Sequence, residues 1–144
     1  MDYRNKTKKV NAMTTPKDEV VHKIGNMIGQ AANASAEHWD YAGYMFVAAQ
    51  RGGSPYLFAN GEYGSLNTRL FRRDLRENFL RLRDLTQIEG DDPWIRCLAM
   101  IRFEDRALRI LFEFEDTTRW AIGPTNVHDA YRIIVGDAFP EDFQ

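Results

Sequence analysis

Residues 94–116 read WIRCLAMIRFEDRALRILFEFED, and this stretch predicts a β-hairpin. The first strand runs from Trp94 to Phe103, the turn falls around residues 105–106, and the second strand runs from Leu108 to Phe114. In the second strand apolar residues occupy every second position, and polar residues occupy most of the others. Such alternation is typical of a strand with one buried face and one face in water.

A second hairpin is predicted upstream, where aromatic and small apolar residues fill the segment from Trp39 to Ala48. Residues 51–54 (RGGS) supply a turn, and Tyr56 to Phe58 form the returning strand. A further short strand is expected at residues 62–65. Two hairpins with short turns imply an antiparallel sheet.

Three helices are predicted around these hairpins, because apolar residues recur there at three- and four-residue spacing. The first helix starts at the capping sequence Thr15-Pro16 and ends near Asn33. The second covers residues 66–85, and the third starts at a capping sequence at residue 126 and packs as far as residue 139.

The order of elements is therefore helix, hairpin, helix, hairpin, helix, which predicts a single α+β domain. Its antiparallel sheet is built from the two hairpins, and the helices are expected to pack against one face of it. This domain is expected to span residues 15–144. Residues 1–14 are expected to form a flexible, basic N-terminal arm.

Size and composition fit one globular domain, since the chain has 144 residues, of which 44% are hydrophobic and 28% charged. The single cysteine, Cys97, excludes an intramolecular disulfide and fits a reducing cytoplasm. No apolar run approaches the length of a membrane helix, and residues 1–12 lack the apolar core of a signal peptide. We therefore expect a cytoplasmic protein that makes no membrane contact.

Charge is uneven along the chain although its formal net value is only -2. Residues 66–83 hold six arginines and two carboxylates, and this helix is the best candidate for contact with nucleic acid. Carboxylates interrupt it, however, and no aromatic side chains for base stacking lie between its arginines. The favoured interpretation is a solvated helix face with salt bridges to the acidic second hairpin, so no direct nucleic-acid binding is expected.

Catalytic and metal-binding patterns are weak. The three histidines, His22, His38 and His128, have no ligand-type spacing with Cys97, so no metal is expected. Cys97 falls inside a predicted strand, where it acts as a small buried hydrophobe. Glu113 and Glu115, two residues apart on a strand, fit an exposed polar face better than an acid–base pair. We expect no catalytic residue, no cofactor and no enzymatic activity.

The acidic stretch 84–116 carries nine carboxylates and four arginines. Such a group can present negative charge to a basic partner, which speeds association and selects orientation. The sequence therefore predicts a partner-binding surface that consists of Asp91, Asp92, Glu104, Asp105, Glu113, Glu115 and Asp116.

Several strings in the same order resemble the YezG-like family of bacterial immunity proteins. The first helix runs into Glu37-His38-Trp39 and then the aromatic strand YAGYMF at residues 41–46. The central helix ends in Asp91-Asp92-Pro93-Trp94, and the last strand closes in FEFED at residues 112–116. The resemblance covers about two-thirds of the chain, from Val20 to Asp116, and the C-terminal part from residue 117 departs from it.

This resemblance implies a cytoplasmic protein of polymorphic-toxin or contact-dependent growth-inhibition systems. Such a protein binds the C-terminal domain of its cognate toxin, often a nuclease, and blocks it stoichiometrically. The resemblance assigns no site residues. The acidic group is our own inference, because a cleft that holds phosphates is commonly basic. We expect a monomer. The alternatives are a dimeric secretion chaperone that holds an effector polypeptide, a small enzyme, and a phosphate-backbone binder that uses the arginine helix.

Overall fold

The computed structural model describes residues 15–144, so the predicted N-terminal arm lies outside the described residues. Within them the chain forms a single α+β domain, as predicted. Its main elements in chain order are α1 (Pro16–Ser35), β1 (Tyr41–Val47), β2 (Gly52–Ala59), β3 (Glu62–Gly64), α2 (Arg72–Thr86), β4 (Arg96–Arg102) and β5 (Leu108–Glu113). The remaining residues, 117–144, are here called the C-terminal segment. They contain short helical turns, Val127–Asp129, Tyr131–Val135, Gly136–Ala138 (α3) and Pro140–Phe143.

The five strands form one antiparallel sheet in the order β3-β2-β1-β4-β5. Both predicted hairpins are confirmed, and the short strand expected near residue 62 is β3. The register pairs Tyr41 with Arg102 on β1 and β4, and Arg96 with Glu113 on β4 and β5. The sheet thus has two ends. The turn end holds residues 102–108 of the β4–β5 hairpin, and the open end is where β4 begins and β5 finishes.

Both faces of the sheet are covered, which corrects the prediction that helices lie on one face. Helices α1 and α2 pack on one side, and the C-terminal segment packs on the other. The central strand β1 explains this arrangement, because all seven of its residues, YAGYMFV, are buried. Ala42 and Phe46 face the helices, whereas Tyr41 and Met45 face the C-terminal segment. A strand that is apolar on both faces requires a packed layer on each side.

Helix α1 begins as the sequence predicts. The Thr15 hydroxyl accepts a hydrogen bond from the amide of Asp18, and the Asp18 carboxylate accepts one from the amide of Thr15. This reciprocal capping box satisfies amides that have no partner inside the helix. The helix ends at Ser35, two residues beyond the predicted end.

Helix α2 is shorter than the predicted 66–85, because the chain passes through a 3-10 turn, Arg69–Phe71, before the helix starts. Its buried stripe is Leu75, Phe79 and Leu82. The apolar spacing in the sequence also predicts Leu70 on this stripe, but Leu70 is 90% exposed. The tighter 3-10 geometry rotates residue 70 away from the face that the following helix buries.

The first hairpin turns earlier than predicted. A 3-10 turn, Ala48–Gln50, is followed by Arg51 in the left-handed region at a φ of 51°, and β2 starts at Gly52. Gly53 lies inside the strand, where a Cβ atom would stand 1.8 Å from the carbonyl oxygen of Met45. Gly53 therefore allows close approach of two strands rather than forming the turn.

The predicted C-terminal helix is broken into 3-10, π-helical and short α-helical turns. Its inner side chains, Ile134, Val135, Ala138 and Phe139, are buried against the sheet, whereas Val127 is exposed. The packing stripe was thus correctly predicted from Tyr131 onward, since Tyr131 also packs against this core, while a regular helix was not formed.

Candidate protein-binding surface

The seven carboxylates of the predicted partner-binding surface do not lie together. Glu104 and Asp105 occupy the β4–β5 turn, at the turn end of the sheet. Asp91 and Asp92 precede β4, and the other three close β5, so these five lie at the open end. The length of β4 separates the two groups by about 20 Å. The prediction of one surface made of all seven is therefore wrong, because hairpin pairing folds the stretch into two sites.

Glu113 is engaged inside the molecule. Its carboxylate accepts hydrogen bonds from the amides of Phe114, Glu115 and Asp116, at 3.0–3.1 Å, and pairs with Arg119 at 2.8 Å. The backbone amides, with Arg119 second, lower the pKa of Glu113 to about 2. Because β5 ends at Glu113 and the chain turns there, Glu113 and Glu115 do not share a strand face as predicted.

The supposedly wet face of β5 is also covered. Arg109 donates to the carbonyl oxygen of Ala138 and pairs with Glu141 of the C-terminal segment. Leu111 packs with the core on that side. The polar residues of this strand were predicted to face water, but they hold the second packed layer in place.

Two other carboxylates of the predicted surface have internal partners. Asp105 pairs with Arg102 at 2.8 Å, which lowers the pKa of Asp105 to about 2. Asp116 accepts hydrogen bonds from the amide and the hydroxyl of Thr118, and these bonds lower its pKa. These groups shape turns, as hydrogen-bonded Asp side chains commonly do.

The remaining four carboxylates are Asp91, Asp92, Glu104 and Glu115. All four are exposed, and among residues 15–144 none of them forms an ion pair or a side-chain hydrogen bond. Three of the four lie at the open end. Their charges are therefore available to a partner at that end of the sheet.

Two large apolar side chains accompany the open-end carboxylates. Ile88 is 67% exposed and Phe114 is 53% exposed. The loop that carries Ile88 leads into β4 beside the end of β5, because the amide of Ile95 donates to the carbonyl oxygen of Glu113 at 2.8 Å and the Trp94 ring stacks on Phe112. We define the open-end surface as Ile88, Asp91, Asp92, Phe114 and Glu115.

Sequence reasoning missed both apolar members of this surface. Phe114 continues the apolar alternation of β5, but the strand stops one residue before it. Ile88 follows the end of α2 and lies two residues before Gly90, a position outside the periodic pattern of the helix. That break in periodicity was the available signal for Ile88.

The arginines of α2 do not pair with the acidic hairpin. Among residues 15–144, no ion pair joins them to strands β4 and β5 or to the turn between these strands. Arg83 instead donates to the carbonyl oxygen of Trp94, and Arg73 approaches Glu77 at 3.9 Å. The interpretation that salt bridges to the hairpin neutralise this helix is therefore wrong.

The candidate metal ligands are scattered. His22 lies on α1, His128 lies in the turn Val127–Asp129, and His38 pairs with Asp40 at 3.3 Å. Cys97 is fully buried on β4, and this burial raises the pKa of its thiol. Within the described part of the chain, no three His, Cys, Asp or Glu side chains group together as metal ligands do.

An open groove of about 620 Å³ lies between α1 and the turn end of the hairpin. Its polar lining includes His22, Asn26, Gln30 and Arg106. The Arg106 guanidinium already stacks on Phe103, 4.3 Å from the ring centroid. Over residues 15–144 the lining offers one imidazole and no carboxylate, so it supplies no acid–base pair.

In comparisons with known proteins, no family model and no curated protein matched this chain. Over residues 15–144, none of the helices combines the length and the apolar character that crossing a membrane requires.

Proposed function

We propose that this chain is an immunity-type protein that neutralises a bacterial toxin domain, a nuclease, by stoichiometric contact in the cytoplasm of the cell that makes it. The observation that carries the proposal is the open-end surface. It combines two exposed apolar side chains, Ile88 and Phe114, with carboxylates that have no partner among the described residues.

This combination suits a protein partner with a basic surface. Affinity in protein complexes comes mainly from a few apolar or aromatic side chains that lose their water on binding. Charges around them steer the encounter and select the partner. Phe114 and Ile88 supply the first element, and the three carboxylates supply the second. A nuclease cleft that holds phosphates provides the matching positive charge.

The surface is also held in a fixed shape. Trp94, behind it, donates from Nε1 to the Thr86 hydroxyl at 3.0 Å and stacks on Phe112 with ring centroids 5.6 Å apart. Arg83 donates from Nε to the carbonyl oxygen of Trp94. Ordering a surface before it binds reduces the entropy lost on association.

Growth rescue tests the function. The C-terminal domain encoded by the neighbouring upstream gene is expressed alone and then together with this chain. Rescue together with a one-to-one complex on size exclusion supports the proposal. Toxicity that persists despite expression of this chain rejects that pairing. A dimer that carries an extended client polypeptide would instead support a secretion chaperone.

Charge reversal then tests the surface. We expect the triple variant Asp91→Lys, Asp92→Lys, Glu115→Lys to slow association by about tenfold at low salt, because the steering charge changes sign. Glu62→Lys, on the exposed strand β3, is the control for a single charge reversal outside the open end. Glu104→Lys reports on the turn end, about 20 Å away. If the logarithm of the rate change in the triple variant is no more than three times that of Glu62→Lys, net charge alone explains the effect and the open end would be removed from the interface.

The variants Phe114→Ser and Ile88→Ser test the contribution of the two apolar side chains of the open-end surface to binding. Both side chains are exposed, so the domain should stay folded, and the complex should dissociate faster. Unchanged dissociation in both variants would leave the carboxylates without an apolar anchor and would contradict this interface.

A further inference from the structure

The start of α2 carries a second charged surface, which we call the basic patch and define as Arg69, Leu70, Arg72, Arg73 and Arg76. These residues, with Asp74, line an open depression of about 400 Å³. Arg69, Arg72 and Arg73 are exposed, and Leu70 is 90% exposed. The patch lies at the opposite end of α2 from the open-end surface.

The arrangement is electrostatically unfavourable. Its arginines stand three or four residues apart along the helix, where like charges repel. Three of them, Arg72, Arg73 and Arg76, also occupy the first two turns of α2, whose backbone dipole favours negative charge there. Helix α1 has Asp18 and Glu19 in its first turn, whereas the first turn of α2 has a single carboxylate, Asp74, beside its arginines.

Internal neutralisation of the basic patch is slight. Among residues 15–144, one weak ion pair involves the patch: Nε of Arg73 lies 3.9 Å from Oε2 of Glu77, and both side chains are well exposed. Within residues 15–144, Asp74 lies among the arginines without forming an ion pair. An exposed ion pair such as Arg73–Glu77 contributes little to stability. A negatively charged ligand would relieve both the mutual repulsion and the dipole mismatch.

Three features distinguish between anionic ligands. Leu70 places an exposed aliphatic side chain among the guanidinium groups. A phosphate backbone has no apolar group that could pack on this side chain. Phe71 packs against the core, so its ring is not presented for base stacking. Asp74 and Glu77 would repel a continuous row of phosphates but fit a partner of mixed polarity.

We infer that the basic patch is a second protein-binding surface, which takes an acidic polypeptide segment with an aliphatic residue among its carboxylates. The guanidinium groups bind the carboxylates through paired N–H donors, and Leu70 packs on the aliphatic residue. The proposal is independent of the toxin proposal, because α2 holds the two surfaces about 20 Å apart.

Binding of the full chain to three probes tests the inference at low salt. The probes are a short peptide of glutamate and leucine, an all-glutamate peptide of the same charge, and a thymidine oligonucleotide of the same charge. We expect the mixed peptide to bind most tightly. Tighter binding of the oligonucleotide would overturn the inference in favour of a nucleic-acid surface, and no binding of any probe would also overturn it.

Variants locate the binding. The double variant Arg69→Glu, Arg73→Glu should lower the affinity for the mixed peptide by at least about tenfold, because two attractive charges become repulsive. Arg81→Glu, on the same helix but outside the patch, is the control for charge and should change the affinity by less than about twofold. If Arg81→Glu loses at least half as much binding free energy as the double variant, which has twice the charge change, only net charge matters and the inference would be overturned.

Leu70→Ser isolates the apolar contribution. Its exposed side chain can be removed without disturbing the core, so the variant should remain folded and should lose its preference for the mixed peptide over the all-glutamate peptide. A preference that survives this change would contradict the role of Leu70. None of these substitutions touches the open-end surface, so the growth-rescue result stands or falls separately.

Discussion

Nη1 of Arg102 lies 2.9 Å from Oδ2 of Asp142, and this ion pair joins the end of β4 to the last turn of the chain. The same guanidinium contacts Glu141 and lies over the ring of Phe139, 4.6 Å from its centroid. The Tyr41 hydroxyl also donates to Asp142. The packed layer on the second face of the sheet is thus held at the turn end by Arg102.

Arg102→Gln should loosen the C-terminal segment while the sheet stays folded. Its side chain is largely enclosed and is shared by two carboxylates of that segment. We expect the amides of residues 134–138 to exchange roughly tenfold faster, whereas those of β4 should change less. Arg132→Gln removes an exposed ion pair with Asp129 and is the control. Uniform acceleration over the whole domain would show that Arg102 supports global stability instead.

Acid should destabilise the domain between pH 4.5 and about 2. The pKa of Glu113 is lowered from 4.5 to about 2 by backbone amides and Arg119, and that of Glu141 is lowered to about 2 mainly by Arg109. Because the folded pKa lies below the unfolded one, the stabilisation is complete above the unfolded pKa and is lost as the pH falls through the folded pKa. Urea unfolding across this pH range measures the loss of stability. Glu113→Gln should make the free energy of unfolding depend less on pH over the same range.

Phe79 is the central side chain of the helix-facing core. Its ring stacks on Phe46, with centroids 4.9 Å apart, and on Tyr44 at 5.6 Å. Phe79→Ala should lower the free energy of unfolding by about 3–5 kcal/mol, because a cavity replaces a fully buried ring. Leu70→Ala, at an exposed position close to the same helix, should change it by less than about 0.5 kcal/mol. Similar urea midpoints for the two variants would contradict this assignment of the core.

Gly43 should tolerate no side chain. A Cβ atom there would stand 2.0 Å from the sulfur of Met100 and 2.3 Å from the carbonyl oxygen of Ala99 on the neighbouring strand. The backbone oxygen cannot move without disturbing the β1–β4 pairing, so Gly43→Ala should destabilise the domain by about 3 kcal/mol. Gly123→Ala, where no heavy atom lies within 4 Å, is the matched control and should leave the melting temperature nearly unchanged.

Local patterns predicted the helix start at Thr15 and both hairpins, because capping and strand alternation depend on neighbours in sequence. The second packed layer was missed although its signal was present. Every residue of YAGYMFV at 41–47 is apolar or aromatic, a pattern that favours burial on both faces of a strand.

The candidate surface was harder to predict, because it depends on strand register and on where β5 stops. Sequence spacing grouped Glu104 with Asp91, while the β4–β5 pairing places them at opposite ends of the sheet. The internal role of Glu113 follows from a turn that positions three amides around one carboxylate. Such convergence is a tertiary property, which residue types alone do not specify.

Cys97 should report opening of the sheet. It is fully buried on β4, between Phe46 of β1 and Phe112 of β5, and burial raises the pKa of its thiol. The thiolate is the nucleophile that attacks a thiol reagent, so labelling requires the strand to open to solvent. We expect very slow labelling of the native chain at pH 7 and prompt labelling in urea. Because each 1.4 kcal/mol changes an equilibrium tenfold, Phe79→Ala should raise the labelling rate by roughly a thousandfold. Fast labelling of the native protein would show that β4 opens locally, and the variant would then accelerate the reaction little.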